Sequence, residues 1–444
     1  MQQTSDGGYI LAGATNSFVG DRAWLIKTDG NGDSLWSRIH GGNPPVYPYF
    51  VQQTTDGGYF LGGAILDSLR GAEWWLLKTD ASGDSLWSRK YGTITGHGDI
   101  CYSGSQTSDG GYILAGCIGP FSGQGYVVWL LKTDANGDSL WSRTFEGGSG
   151  SGGNCHDVRQ TDDGGYILGA NTNTYTGGAS DFWLIRTDSN GDSLWSRTFG
   201  GPNSDICRSV EQTIDGGFTV GGSTGSFGNG RLDFWLVKTD ANGDCLWSRT
   251  YGRENVDEEC YSMRQTADGG YILGGIWFDL VALEENVGLV RADANGDSLW
   301  SMDFGGDEHD WCFSVCQTND GGFTFGGATR SYGAGGFDFW LVKTGPELAA
   351  NEPPLLCPTS FQLDIYPNPF NSTTTFAFSL PRSSPVTLSV FNTLGQRVRD
   401  VNLGGLAAGE HRYLFDAGDL PSGLYLARIE AVGTTRTQKV VLIR

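Results

Sequence analysis

Five cysteines occupy one position of a repeated pattern, five residues before a repeated glutamine. They are Cys101, Cys155, Cys207, Cys260 and Cys312. A ring of thiols could bind a metal ion or a redox partner, but protein metal sites gather paired Cys or His ligands in tight local groups. One cysteine per repeat instead indicates a buried position that accepts a small, weakly polar side chain. We therefore predict no metal and no other cofactor.

A second repeated element has the residue types of a calcium loop. The pattern Asp-x-Asn-Gly-Asp begins at Asp29, Asp134, Asp188, Asp240 and Asp293, with a Ser variant at Asp80. An EF-hand loop requires glycine at its sixth position and glutamate at its twelfth, whereas Ser or Cys stands sixth here. Because Asn-Gly by itself favours a tight hairpin, we interpret the pattern as a turn. It loosely resembles the structural Asp-box turns of sialidase-type propellers.

Catalytic residue types do not form a recognisable set. His40, His97, His156 and His309 fall in different repeats without a repeated partner. Asp and Glu number 50, so any pair of carboxylates could be proposed. A secreted hydrolase that acts on polysaccharide through carboxylates near the axis of the fold is therefore one alternative function. A purely structural surface protein is another, because a fold does not by itself define an activity.

Aromatic residues in or beside variable segments are the predicted ligand-binding residues. Exposed rings next to polar groups are how proteins stack on sugars or anchor protein partners. The candidates are Tyr47, Tyr49, Phe121, Tyr175, Trp277, Phe278 and Trp311. The alternative is that these rings cover the ends of the sheets, and the sequence leaves both interpretations open.

A repeat of about fifty residues must position these side chains. An Asp-Gly-Gly core recurs at spacings of 50 to 54 residues, at Asp6, Asp56, Asp109, Asp163, Asp215, Asp268 and Asp320. Each complete repeat has four strand-length runs separated by turn residues, which is the size of a propeller blade. We predict an all-β fold, with a seven-bladed β-propeller of four-stranded blades over residues 1–344.

The predicted strand order from axis to rim is the Gln-Thr strand, the Gly-Tyr-Ile-Leu strand, the Phe-Trp-Leu strand and the Leu-Trp-Ser strand. The two short turns then share one face, and the variable connections share the other, where function tends to reside. The first repeat opens with only Met1-Gln-Gln-Thr, and the seventh stops after Trp340-Leu-Val-Lys-Thr. We therefore expect a closing Leu-Trp-Ser-Arg strand and a signal peptide upstream of Met1, where an eighth blade would also fit the pattern.

Charge excludes one class of partner. Residues 1–360 contain 21 Lys and Arg against 44 Asp and Glu, a net charge of −23. Nucleic acid is bound by clustered Lys and Arg, so we predict no nucleic-acid partner. No run approaches the ~20 apolar residues of a transmembrane segment. The acidic body fits a soluble monomer in an extracellular setting.

The C-terminal part of the chain has a different pattern. Residues 345–360 contain four prolines and predict a linker, and residues 361–444 predict a small Ig-like β-sandwich with Asn-Pro, Leu-Gly and Ser-Gly turns. The motif residues are Tyr366, Pro367, Asn368, Pro369, Gly395, Gly423, Tyr425 and Lys439. In this order they closely resemble the C-terminal sorting domain of type IX secretion substrates.

This resemblance implies passage through the inner membrane by a Sec signal and across the outer membrane by the type IX secretion machinery. It also implies removal of the domain as the product is released or attached to surface lipopolysaccharide. The repeats similarly resemble uncharacterised secreted Asp-Gly-Gly-Tyr repeat proteins, which implies a propeller and no activity. We expect a secreted or outer cell-surface protein that binds glycan or protein through its variable face.

Overall fold

The computed structural model describes residues 1–16, 21–67, 71–92, 98–119, 125–147, 152–173, 179–281, 283–333, 336–345, 361–380, 384–406 and 409–443. The candidates Phe121 and Tyr175 and the linker residues 346–360 lie outside the described residues. The chain divides into two units, Met1–Glu347 and Leu348–Arg444.

Seven antiparallel sheets follow one another along the first unit, and no helix occurs in its described residues. Sheet 1 contains β1 (Gln2–Gln3), β2 (Tyr9–Thr15), β3 (Arg22–Thr28) and β4 (Ser34–His40). Sheet 2 contains β5 (Val46–Gln53), β6 (Tyr59–Asp67), β7 (Gly71–Thr79) and β8 (Ser85–Tyr91). Sheet 3 contains β9 (Ile100–Gln106), β10 (Tyr112–Ile118), β11 (Val127–Thr133) and β12 (Ser139–Phe145). Sheet 4 contains β13 (Gly153–Gln160), β14 (Tyr166–Thr172), β15 (Asp181–Thr187) and β16 (Ser193–Phe199).

The remaining three sheets repeat this order. Sheet 5 contains β17 (Asp205–Gln212), β18 (Phe218–Thr224), β19 (Asp233–Thr239) and β20 (Cys245–Tyr251). Sheet 6 contains β21 (Val256–Gln265), β22 (Tyr271–Asp279), β23 (Glu284–Ala292) and β24 (Ser298–Phe304). Sheet 7 contains β25 (Asp310–Gln317), β26 (Phe323–Thr329) and β27 (Asp338–Lys343). Each strand pairs with the next one along the chain, so every sheet is a meander, and the all-β prediction is confirmed.

Turn residues explain the meanders. In the turn between β11 and β12, Asp134 Oδ1 accepts hydrogen bonds from the backbone N–H groups of Asn136 and Asp138, at 2.9 and 2.8 Å. Gly137 has a φ of 78° there, a conformation that strains residues with a Cβ. The first aspartate of the pattern is therefore used to organise its own turn.

Apolar contacts between successive sheets form the cores of the first unit. Six hydrophobic clusters each combine side chains of two neighbouring sheets. All seven residues of β14, β15, β18 and β19 are buried, because these strands are covered on both faces. The fourth strands alternate between exposed and half-buried side chains, as β16 does. Stacking of sheet on sheet therefore supplies the main stabilisation.

A repeated hydrogen bond also links neighbouring sheets. The side-chain Oε1 of each repeat glutamine accepts the N–H of a turn residue in the preceding sheet. The pairs are Gln53 with Ser5, Gln106 with Thr55, Gln160 with Ser108, Gln212 with Asp162, Gln265 with Ile214 and Gln317 with Ala267. The same bond joins Gln3 of sheet 1 to the Asn319 N–H of sheet 7 at 3.1 Å. The last sheet therefore contacts the first, and the unit is propeller-like.

The outer edge of sheet 7 differs from the others. In the part of the chain that the structure describes, β27 has no partner on its outer side, and its side chains are half-buried or exposed. Elsewhere a fourth-strand tryptophan covers a turn glycine of the next sheet, as Trp36 covers Gly83. Gly32 of sheet 1 is instead approached only by Leu341 of β27. A fourth strand on β27 would occupy this position.

The second unit has two sheets around one core. Its strands are β28 (Gln362–Tyr366), β29 (Thr373–Leu380), β30 (Ser384–Phe391), β31 (Arg397–Leu406), β32 (Gly409–Asp416), β33 (Gly423–Ala431) and β34 (Thr434–Leu442). One sheet has the order β28-β29-β32 and the other has the order β31-β30-β33-β34. Phe376 and Phe415 of the first sheet share a hydrophobic cluster with Leu388 and Ile429 of the second.

Candidate binding site in the axial cavity

The first strands of the seven sheets converge on one cavity of about 1090 Å³, which we call the axial cavity. Its lining includes residues of β1, β5, β9, β13, β17, β21 and β25. Those strands are the inner strands of the sheets, so the predicted order from axis to rim agrees with the cavity's position. A cavity lined by every repeat is a place where the repeats can differ without disturbing the stacked cores.

Six inner strands carry a β-bulge at the same place. The pairing register shifts by one residue immediately after the position of the repeated cysteine, so one residue has no partner on the next strand. We call these residues the bulge belt: Tyr49, Tyr102, His156, Arg208, Tyr261 and Phe313. Bulges redirect a side chain and often occur beside functional sites. All six residues of the bulge belt line the axial cavity.

Members of the bulge belt contact one another in sequence order. The ring centroids are 5.4 Å apart for Tyr49 and Tyr102, 4.6 Å for Tyr102 and His156, and 5.6 Å for Tyr261 and Phe313. Arg208 connects the two aromatic groups, because its Nη1 lies 3.4 Å from His156 Nδ1 and its Cζ lies 5.1 Å from the centre of the Tyr261 ring. The side chains of the bulge belt therefore form one row of mutually contacting rings, with the guanidinium group of Arg208 between the two aromatic groups.

His156 is neutral in this arrangement. Burial and the adjacent Arg208 guanidinium lower the pKa of His156 to about 3. Because a guanidinium group can only donate, Nδ1 of His156 accepts the hydrogen bond and the imidazole proton is on Nε2. His156 and Arg208 together therefore offer N–H donors.

Two other arginines of the inner strands are already paired with carboxylates. Arg264 Nε lies 3.4 Å from Glu211 Oε1, and Arg159 Nη2 lies 3.3 Å from Asp157 Oδ2. Asp157 is 5% exposed and also accepts the Ser103 hydroxyl at 2.8 Å. Both carboxylates are therefore held as hydrogen-bond acceptors between neighbouring strands.

Two of the aromatic candidates lie at the axial cavity. Tyr49 belongs to the bulge belt and is 51% exposed. Tyr47 lines the same cavity, and its hydroxyl donates a hydrogen bond to Asp21. These two residues remain candidates for ligand contact.

The other described candidates do not line the cavity. Trp277 is only 5% exposed, the Arg253 guanidinium lies 4.0 Å from its ring centroid, and the ring belongs to the hydrophobic cluster between sheets 5 and 6. Phe278 follows it, half-buried, near the end of β22. Trp311 is half-buried on β25 and donates its Nε1–H to Glu285 at 2.6 Å. The axial cavity thus includes Tyr47 and Tyr49 but not these three residues.

Sequence reasoning found only Tyr49 among the six residues of the bulge belt. The sequence did contain a signal. The residue after the repeated cysteine varies among Tyr, His, Arg and Phe, whereas the cysteine itself stays constant. On a regular strand, that residue would have pointed away from the cysteine and into a packed layer. The bulge changes its direction, and the strand sequence has no turn residue that would have indicated a bulge.

The repeated cysteines lie next to the bulge belt as buried thiols. All five are free and buried, and Cys101 Sγ lies 3.6 Å from the Ser103 carbonyl oxygen. Burial raises the pKa of the Cys101 thiol, which keeps it protonated. Within the described ranges, no three His, Cys, Asp or Glu side chains are grouped as metal ligands.

One carboxyl group outside the cavity is buried with incomplete hydrogen bonding. Glu258, at the start of β21, is 1% exposed, and its Oε1 accepts the Arg253 N–H at 2.8 Å. Its Oε2 has no hydrogen-bond partner among the residues that the structure describes. Burial and the nearby carboxylate of Asp233 raise the pKa of Glu258 to about 8.

Glu258 should therefore make the first unit less stable in alkali. The folded protein holds a proton that the unfolded chain releases near the ordinary glutamate pKa of 4.5, so this contribution is complete below that pH and is lost as the pH rises through 8. Between pH 6 and pH 9, the unfolding free energy of Glu258→Gln should fall by about 1–2 kcal/mol less than that of the wild-type protein. Denaturant unfolding at both pH values measures this, with the exposed Glu254→Gln as control. An unchanged pH dependence in Glu258→Gln would contradict the assignment.

The sorting motif residues tie the Asn-Pro segment to the last strand. Asn368 Nδ2 donates to the Lys439 carbonyl at 2.7 Å, and its Oδ1 accepts the Val441 N–H at 2.9 Å. Tyr425 is buried, and its hydroxyl donates to the Pro421 carbonyl at 2.7 Å. Of the remaining motif residues, Tyr366 ends β28, Gly423 begins β33, Pro367 and Pro369 flank Asn368, and Gly395 has a φ of 75° in the turn after β30.

Residues 364–443 match the family described as "Secretion system C-terminal sorting domain". The predicted type IX secretion sorting domain is thereby confirmed. It indicates a secreted or cell-surface protein and implies interaction with the type IX secretion machinery. No curated protein sequence matches the chain. None of the described residues belongs to a helix long and apolar enough to cross a membrane.

Solved structures similar to this chain have low sequence identity. PorZ, a surface component of the type IX secretion system of Porphyromonas gingivalis, is 11% identical with a TM-score of 0.41, and the match covers 98% of this chain and 66% of PorZ. An ancestral GH74 enzyme is 11% identical with a TM-score of 0.42, covering 100% of this chain and 61% of the enzyme. Sqt1 from Chaetomium thermophilum is 12% identical with a TM-score of 0.40, covering 89% of this chain and 96% of Sqt1. This chain thus spans less than two thirds of the length of PorZ and of the GH74 enzyme.

Proposed function

We propose that this protein is an exported seven-bladed β-propeller that binds a glycan or protein ligand at its axial cavity. The propeller comprises residues 1–344, and the linker comprises residues 345–360. Residues 361–444 form an Ig-like sandwich that directs export. Seven equivalent glutamine bonds, the last of them from Asn319 to Gln3, support a closed ring of seven blades. The protein acts at the cell surface or after release, as a monomer.

The bulge belt is the observation that carries this proposal. Six repeats place a variable side chain at one structural position, and all six line one cavity. A residue needed only for packing would resemble its equivalents, as the repeated cysteines do. Variable side chains at one position of a constant scaffold are what a ligand-binding surface requires.

A glycan is the ligand class that the bulge belt favours. Four of its six members are Tyr or Phe, and Tyr49 and Phe313 are 51% and 48% exposed. Flat aromatic faces with polar edges stack on the apolar faces of sugar rings while neighbouring donors bind the hydroxyl groups. Asp157 is held in hydrogen bonds, so the proposal assigns binding rather than hydrolysis to this cavity.

A glycan array followed by titration calorimetry on the glycans that bind tests the proposal. We expect Tyr102→Ala and Phe313→Ala each to weaken binding roughly tenfold, because each removes one stacking face. Tyr126→Ala is the matched control, since Tyr126 is 39% exposed and does not line the axial cavity. Unchanged affinity in both bulge-belt variants would refute the site. Hydrolysis of the bound glycan would favour the enzyme instead.

A further inference from the structure

Arg208 differs from the other arginines of the inner strands. Arg159 and Arg264 are each paired with a carboxylate. In the part of the chain that the structure describes, Arg208 forms no ion pair and lies between His156 and the Tyr261 ring. A cation in a partly closed cavity loses some of its hydration, which a bound anion would replace.

The axial cavity is also a local exception to the charge of the molecule. Residues 1–360 carry a net charge of −23, yet the described lining of the cavity contains four arginines and three aspartates. Glu211, which pairs with Arg264 beside the cavity, brings the local charges to balance. An anionic group that enters the cavity therefore meets less repulsion there than over the rest of the acidic surface.

We propose that Arg208 binds a carboxylate of the ligand, and that the ligand is an acidic glycan containing uronic acids. This inference rests on the proposed function of the axial cavity. The guanidinium group can donate two parallel hydrogen bonds to one carboxylate. Tyr261 and Tyr102 lie on either side of the Arg208–His156 pair and supply faces for the adjoining sugar rings.

His156 supports the same assignment. Its Nδ1 is occupied by Arg208, so the ring can donate only through its Nε2–H. Two donor groups side by side suit an acceptor-only partner such as a carboxylate. An acidic peptide would also satisfy the charge, but it has no flat ring beside each carboxylate to stack on the tyrosines.

Titration calorimetry with trigalacturonate and with its fully methyl-esterified form tests the inference on the full chain. The two ligands have the same sugar rings and differ in charge. We expect the wild-type protein to bind the acid at least tenfold more tightly than the ester. Added salt should weaken binding of the acid but not of the ester. Arg208→Gln should lose 10- to 100-fold affinity for the acid and less than threefold for the ester.

Two further variants separate charge from geometry. Arg208→Lys keeps the charge without the planar fork and should lose less affinity than Arg208→Gln. Arg143→Gln removes the same charge from the exposed outer strand β12 and should change affinity less than twofold. If Arg208→Gln does not fold, the test uses the ratio of affinities for acid and ester, measured for the wild-type protein and for Arg208→Lys.

The possible outcomes distinguish this inference from the proposed function. Equal affinity for acid and ester, or an unaffected Arg208→Gln, would overturn the inference and leave a neutral-glycan site. Binding of poly-L-glutamate without binding of galacturonate would overturn it in favour of an acidic protein partner. Failure of every glycan, acidic or neutral, to bind would overturn the proposed glycan site as well.

Discussion

Replacing Trp74 with alanine is expected to lower the free energy of unfolding of the first unit by about 4 kcal/mol. Trp74 is fully buried on β7, between sheets 2 and 3. Its Nε1–H donates to the Cys117 carbonyl of sheet 3 at 3.1 Å, and its ring centroid lies 4.4 Å from that of Trp129. The substitution removes the largest fully buried side chain of this interface and leaves a cavity between two packed sheets.

Tryptophan fluorescence during denaturant unfolding measures this effect selectively. All 15 tryptophans precede residue 348, so the signal reports on the first unit alone. Trp74→Phe keeps most of the volume and loses the hydrogen bond, and should cost about 1–2 kcal/mol. Leu140→Ala, at a position 58% exposed, should change stability by less than about 0.5 kcal/mol. Wild-type stability in Trp74→Ala would show that sheets 2 and 3 do not stack as described.

Asp109→Ala should destabilise the first unit by about 2–3 kcal/mol, more than Lys132→Met does. The Lys132 side chain is 5% exposed, and its ammonium group lies 2.9 Å from Asp109 Oδ2 and 2.9 Å from the Thr133 carbonyl oxygen. Removing the aspartate leaves a buried cation with one carbonyl. Removing the lysine leaves an aspartate that is 58% exposed and hydrated. Because the Asp109 side chain is 58% exposed, we expect its removal to cost less unfolding free energy than breaking a fully buried ion pair would.

The double variant Asp109→Ala/Lys132→Met provides the control. It removes both charges, so its stability should exceed that of Asp109→Ala alone, by about 1 kcal/mol or more. The same denaturant unfolding experiment measures all four proteins. Equal costs for the two single substitutions would mean that Lys132 reaches water when its partner is lost. Sheets 1, 2, 4, 5 and 6 bury the equivalent Lys or Arg against the equivalent aspartate, so the result extends to them. In sheet 7 the equivalent Lys343 is 37% exposed, and a smaller effect is expected there.

Much of the architecture follows from local sequence. Asp134 and Gly137 define their turn through backbone hydrogen bonds and a positive φ, and both effects act within five residues. Continuous apolar runs such as β18 and β19 indicate strands covered on both faces. These two features could be predicted from the sequence because their causes are adjacent in the chain. The sorting domain was predicted differently, by the resemblance of its motifs to a known family, since the Asn368 amide bonds to Lys439 and Val441, more than 70 residues away.

The candidate site depended on interactions between repeats. Trp277 and Tyr49 both lie in variable segments of the sequence, yet the first is covered by Arg253 and the second faces the axial cavity. Which of two aromatic side chains is buried depends on what the neighbouring sheet contributes, and that neighbour lies about fifty residues away in the chain.

The sequence by itself determined the repeat, the strands and turns within each repeat, and the export domain. Only the tertiary structure decided that the last sheet contacts the first and that six β-bulges turn variable residues into one cavity. The physical reason is that strand periodicity and turn chemistry are local properties, whereas a bulge and the contact between the terminal sheets are set by packing between segments distant in sequence.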